Sequence, residues 1–162
     1  MLSIDLETPA DAPAIKELHA AVFGPGRFAK AAYRLREGER FLPDLAFIAR
    51  DKGRLVGSVR FAPVLLGEAP GLILGPLAVL TEAQRAGVGQ ALMVHGLGLA
   101  EAQGHRRVIL VGDPPIYRRA GFEPVPPGRL TMPAPVDPAR LLWRGASAED
   151  LTGVAGPVRP MR

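Results

Sequence analysis

The chain has 162 residues, 48% of them hydrophobic and 22% charged, the balance of one globular domain long enough to bury a real core. It contains no cysteine, which excludes disulfides, thiolate metal sites and a cysteine nucleophile. The formal charge of +4 comes from scattered arginines, and aromatic residues are only 6%, so no stacking pattern for nucleic acid is present.

Leu2, Ile4 and Leu6 alternate with Ser3 and Asp5, which predicts a half-buried strand. Nothing in Met1–Glu7 resembles a signal peptide and no apolar run is long enough to span a bilayer. The expected location is the cytoplasm, with no membrane partner. Thr8 is expected to cap a helix, with Pro9 at its first position and Asp11 in its first turn. Ile15, Leu18 and Val22 give that helix one apolar face, and Gly24-Pro25-Gly26 ends it. A second helix is predicted over Arg27–Glu37, with Phe28, Ala31, Ala32 and Leu35 inward.

Leu45–Arg50 and Arg54–Leu66 are predicted strands of a hairpin turning at Asp51-Lys-Gly53. Gly71–Leu80 runs back as a central strand, apolar on both faces. Pro76 conflicts with that assignment because proline donates no ladder bond, so a bulge or a local splay is expected there. The next helix, from Gly87 or Val88 to about Gln103, shows a stripe of Val88, Ala91, Leu92, His95, Leu99 and Ala102, which makes His95 a packed core residue. Arg107–Val111 is a buried strand. Asp113 should cap the short helix that follows, and Ala120-Gly121 ends it before a strand at Phe122. Prolines break the chain from Pro124 to Pro138, and a last strand is expected around Arg140–Trp143. Residues 1–145 read as a single α/β domain of the α+β type, and 146–162 as a partly mobile tail.

Several nucleotide and hydrolase signatures fail. Gly87-Val-Gly89-Gln-Ala-Leu92 has leucine where the dinucleotide fingerprint needs its third glycine. There is no Gly-Lys pair for a P-loop and no Gly-x-Ser-x-Gly elbow. His19, His95 and His105 lie too far apart for a local metal motif. What remains is Gln84-Arg-Ala-Gly87-Val-Gly89, a glycine turn between a strand and a helix start. There, main-chain N–H groups and the helix dipole suit a diphosphate, and Arg85 can add a charge-assisted bond. A plain strand-to-helix turn is the competing interpretation.

The second constellation is Tyr117-Arg-Arg-Ala-Gly121-Phe122. Together the two motifs resemble the Gcn5-related N-acetyltransferase (GNAT) family, over Leu2 to about Trp143. Gly112–Phe122 and Leu74–Val79 look most like its bacterial YhbS-type branch. The resemblance implies a GNAT fold: a mixed, mostly antiparallel sheet of six to seven strands, helices on both faces, and a splay near the fourth strand. It implies that Leu77, Ala78 and Val79 offer backbone groups to the pantetheine arm and thioester of acetyl-CoA. Gln84, Arg85, Ala86, Gly87, Val88, Gly89 and Gln90 would hold the diphosphate, and Tyr117 would protonate the leaving thiolate. No metal is implied. The resemblance implies an acetyl-CoA-dependent N-acetyltransferase acting directly on a primary amine of a small molecule or protein, as monomer or homodimer.

The family's frequent strand carboxylate is missing, because Gly71-Leu-Ile-Leu-Gly-Pro76 contains none and Glu68 lies in the preceding turn. A water chain, a backbone carbonyl or a residue of the Gly24–Phe41 region would then act as base. A non-catalytic acyl-CoA-binding or regulatory module of the same fold is the alternative. An enzyme acting on charged tRNA would suit the basic balance, but nucleic acid is not the expected partner.

Overall fold

The structure, a computed structural model, describes residues 1–24, 41–84 and 86–161. The helix expected over Arg27–Glu37 therefore lies outside the described residues. Among the described residues nine strands run in chain order as β1 (Leu2–Leu6), β2 (Ala46–Asp51), β3 (Arg54–Leu66), β4 (Ala69–Val79), β5 (Arg107–Val111), β6 (Glu123–Pro124), β7 (Leu130–Thr131), β8 (Leu141–Gly145) and β9 (Gly156–Pro160). The helices are α1 (Ala12–Phe23), the single turn α2 (Thr81–Gln84), α3 (Val88–Ala102) and the short α4 (Pro114–Tyr117).

Seven strands form the main sheet in the order β1-β2-β3-β4-β5-β8-β6, while β9 pairs with β3 and β7 off that path. Neighbours on the main path are antiparallel except β4 and β5. Those two are parallel because α3 carries the chain back across the sheet between them, and only a crossover of such length can do so.

Period-two alternation sorts the side chains onto two faces. Phe47, Val59, Phe61, Leu72, Leu74, Val108, Leu110 and Leu142 pack under α3. Ala62, Val64, Ile73, Ile109, Leu141 and Trp143 point the other way, into a second core with Leu130, Leu151, Val154 and Val158. Helix α1 buries Ile15 and Leu18 and lies against β3 and β4.

Two expectations are corrected. The face of α3 that meets the sheet is Val88, Leu92, Met93, Gly96, Leu97 and Ala100, and His95, Leu99 and Ala102 are exposed. Gly96 lies in the middle of that face, where a side chain would collide with the Phe61 ring, so the glycine lets the helix approach β3 there. His95 is no core residue, although its ring meets the Phe47 ring edge-on at 4.8 Å. The stretch after Gly145, in which no element was expected, contains the 3-10 turn Ala148–Leu151 and β9, which registers on β3 through Val64–Pro160, Leu65–Arg159 and Leu66–Val158.

Candidate active site

The sheet opens at the fourth strand. Between β3 and β4 the register steps from Phe61–Leu74 to Val59–Leu77, so Gly75 and Pro76 together oppose Arg60. That is a bulge, at the proline that required one. On its other side β4 pairs with β5 only at Leu72–Val108 and Ile73–Ile109. Beyond Ile73 the two strands part, β4 running on to Val79 and β5 to Val111. Among the described residues Leu77, Ala78 and Val79 thus have β3 as their only strand neighbour, and the backbone edge turned towards β5 carries no ladder.

The chain leaves this fork through α2 and the glycine turn. Gln84 Nε2 donates to Val79 O at 3.2 Å, so this side chain ties the turn to the strand end. Gly87 is the N-cap of α3 in a left-handed conformation, φ 76°, and no side chain caps the helix. The first intrahelical bond at this end runs from Ala91 N to Gly87 O, 3.0 Å. The N–H groups of Val88, Gly89 and Gln90 precede it, in the turn where a helix has no acceptor of its own. A Cβ on Gly87 would meet nothing within 4 Å, and one on Gly89 only Val79 Cγ2 at 3.5 Å. Packing therefore does not require a glycine at 89. A bare backbone at such a helix start leaves the N–H groups and the positive end of the helix dipole within reach of an anion. Arg85 lies outside the described residues.

Gln90 Nε2 donates to Ile116 O, 3.0 Å, and so joins the start of α3 to α4. At the C-terminal end of α4 stands Tyr117, half-buried against the Phe122 ring at 6.2 Å. Its hydroxyl has no partner among the described residues. Burial, and next the Asp113 carboxylate, push the phenol above its ordinary value, while Arg140 acts in the opposite direction. Asp113 does not cap α4 through its side chain as expected. It forms an ion pair with Arg140 Nε at 3.3 Å instead. Gly112 and Arg140 are the residues that sequence reasoning missed here. The only signal was a glycine at a strand end five residues before a tyrosine.

Glu68 is fully exposed and 3.6 Å from Arg159, away from the fork. Among the described residues no group of His, Asp and Glu side chains could hold a metal ion. No helix among them is long and apolar enough to cross a membrane.

The family model described as "Acetyltransferase (GNAT) domain" matches residues 43–124, from the turn before β2 to β6. The chain belongs to the GNAT family. Over 122 residues it is 35% identical to the uncharacterized N-acetyltransferase YhbS of Escherichia coli K12, covering 74% of this chain and 72% of the relative. The uncharacterized N-acetyltransferase YjhQ of the same organism is 36% identical over 130 residues, 78% and 71% of the two chains. Among solved structures, YhbS from Escherichia coli in complex with CoA superposes with a TM-score of 0.82 at 30% identity, over 99% of this chain and 89% of that one. A GNAT acetyltransferase from Brucella melitensis in complex with acetyl-CoA gives 0.74 at 25% identity, over 99% and 96%. The GNAT fold expected from the sequence is thus the fold present, with the splay at β4 and seven strands on the main path.

Proposed function

We propose that this GNAT protein transfers an acetyl group from acetyl-CoA directly to a primary amine. The observation that carries the reading is the conjunction of an open β4 edge with a helix start whose second glycine the fold does not need. Both lie beside a phenol kept neutral. When bound, acetyl-CoA supplies a thioester whose acyl carbon an amine can attack.

In this reading the main-chain N–H groups of Val88, Gly89 and Gln90 hold the diphosphate, Ala86 and Gly87 shape the turn with their own N–H groups bonded to Ala83 O and Gln84 O, and Arg85 adds its charge. Gln84 acts indirectly, by fixing the turn on Val79 O. The open edge of Leu77, Ala78 and Val79 orients the pantetheine arm and donates to the thioester carbonyl, where preorganised donors matter most. Tyr117 is the proton donor. A thiol has a pKa of about 8.5, so a phenol held above 10 is fully protonated at neutral pH and can protonate the sulfur as it leaves. As the nitrogen–carbon bond forms and the carbon–sulfur bond breaks, the sulfur takes the phenolic proton. The surplus proton on nitrogen returns to Tyr117 through water. With no cysteine in the chain, a cysteinyl acyl-enzyme is excluded.

The test has two arms. Acetyl-CoA is expected to raise the melting temperature, and labelled acetyl-CoA with a panel of amines is expected to give acetylated product by mass spectrometry. Stabilisation with no transfer to any amine would favour the acyl-CoA-binding module, a reading motivated by the lack of a carboxylate on β4. No stabilisation by any acyl-CoA would remove both.

A further inference from the structure

A cavity of about 450 Å³ lies under the proline-rich loop between β6 and β8. Val125, Leu130, Met132, Ala134, Val136 and Leu141 line it, together with prolines of the same loop. Among the described residues its lining holds no ionisable side chain, and Thr131 supplies its one hydroxyl. Its volume falls within the range of small-molecule sites.

The cavity and the proton donor hang on one strand end. Leu141 is in register with Val111, the last residue of β5. Gly112 N–H donates to Arg140 O at 3.0 Å, and Arg140 pairs with Asp113. The floor residues Val125, Leu130 and Leu141 belong to the core on the face turned away from α3. Because β4 and β5 part beyond Ile73, no ladder closes the sheet between them there. A donor anchored at the start of α3 would lie on one face of that gap, and a second substrate in the proline-rich cavity on the other.

The loop is shaped before any ligand arrives. Arg129 donates to Leu151 O at 2.6 Å and to Val154 O at 3.1 Å, and its own carbonyl accepts from Gly156 N–H at 2.8 Å. Val125 N–H donates to Leu141 O at 2.9 Å. The prolines restrict the backbone further, so little ordering is left to binding.

We propose that this cavity holds the acceptor, and that the acceptor is a primary amine on an uncharged, largely apolar body. The inference rests on the acetyl-transfer reading above. An uncharged lining disfavours an ammonium ion and lowers the pKa of an amine brought into it. The amine is therefore selected as the free base, which eases the need for the carboxylate that β4 lacks. Polycations would leave further charges unpaired there.

The probes are 2-phenylethylamine and spermidine, with saturating acetyl-CoA. The expected kcat/KM for 2-phenylethylamine exceeds that for spermidine by about tenfold or more, from burial of the aromatic body. Ala134→Phe, at a half-buried lining position, fills the cavity. It is expected to raise the KM for 2-phenylethylamine by about tenfold on the same grounds, with the acetyl-CoA melting shift unchanged. Ala134→Asp is expected to swing the preference towards spermidine. An independent readout is the fluorescence of Trp143, the only tryptophan, which packs in the same core: 2-phenylethylamine added to the coenzyme A complex should give a saturable change that Ala134→Phe abolishes. A wild-type preference for spermidine, or an Ala134→Phe variant with unchanged KM and unchanged titration, overturns the proposal while leaving acetyl transfer intact. A saturable titration lost in Ala134→Phe, but with no transfer to any amine, supports the cavity and removes the transferase reading instead.

Discussion

The ring of Tyr117 lies on Gly112, so closely that a Cβ at Gly112 would stand 3.0 Å from both Cδ2 and Cζ of the tyrosine. Gly112 directly follows β5, so the end of the strand sets the place of the phenol. Gly112→Ala must push the ring aside. It is expected to cost about 1–3 kcal/mol of stability, as overpacking does. The functional expectation is a fall in turnover of about tenfold or more, since small displacements at a reacting centre are expensive. The acetyl-CoA melting shift should persist, because the glycine turn before α3 is untouched. Paired thermal and kinetic assays check both halves.

Tyr117→Phe keeps the edge-on packing with Phe122 and removes only the hydroxyl. Turnover is expected to fall by about a hundredfold, within the range of a lost general acid, with acetyl-CoA affinity nearly unchanged. An unchanged rate would leave the tyrosine a packing residue.

The pH profile separates Tyr117 from its neighbours. Burial first, then Asp113, raise the phenol above 10.0, and Arg140 pulls it down. The alkaline loss of activity that reports the donor should therefore lie above pH 10. Asp113→Asn removes a raising charge and leaves Arg140 unopposed, and both changes act in the same direction. The limb is expected to move to lower pH in that variant. A limb that stays in place would show that Asp113 does not act on the phenol.

How much of this was legible in the sequence depended on whether a residue acts through its neighbours along the chain or across the sheet. Pro76 announced a bulge or splay because its chemistry forbids an ordinary central strand, and the bulge stands opposite Arg60. The strand alternations and the glycine turn were likewise local and were readable. Gly96 was not, since a glycine inside a helix gives no sign of the aromatic ring it admits, and so the expected stripe of α3 was right at Val88 and Leu92 but wrong at His95, Leu99 and Ala102. Asp113 had the local pattern of a cap, but the guanidinium of Arg140 from the neighbouring strand end won its carboxylate. The segment after Gly145 looked featureless because β9 is short and proline-flanked, and only pairing with β3 and β7 makes it a strand.

Gly89→Ala separates ligand from fold. The added methyl meets only Val79 Cγ2, at an ordinary contact distance, and alanine favours a helix by about 1 kcal/mol over glycine. The unliganded variant is expected to be as stable as the parent or slightly more so. Its stabilisation by acetyl-CoA should shrink, and Gly89→Val should lose it. Melting curves with and without acetyl-CoA measure both effects in one experiment. An undiminished shift in both variants would remove Gly89 from the diphosphate site.

Asp150 tests whether the C-terminal segment supports the acceptor loop. Its buried carboxylate accepts from Ser147 N–H at 2.7 Å and from Arg106 Nε at 2.8 Å. The backbone bond from Ser147 is the largest influence holding its pKa below the ordinary 3.8, with burial opposing and Arg106 assisting. A carboxyl whose folded pKa is depressed stabilises the fold fully above the unfolded value, and that contribution disappears as pH falls through the folded one. Asp150→Asn is therefore expected to lower stability at pH 7 by about 1–2 kcal/mol, the scale of a lost cap. Its difference from the parent should narrow below pH 3.8. Urea midpoints taken from pH 7 downwards check the sign. The effect should also reach the acceptor, since Leu151 of the same turn receives Arg129 from the proline-rich loop. A raised acceptor KM with an unchanged acetyl-CoA shift is the expected signature of a loosened loop beside an intact donor site.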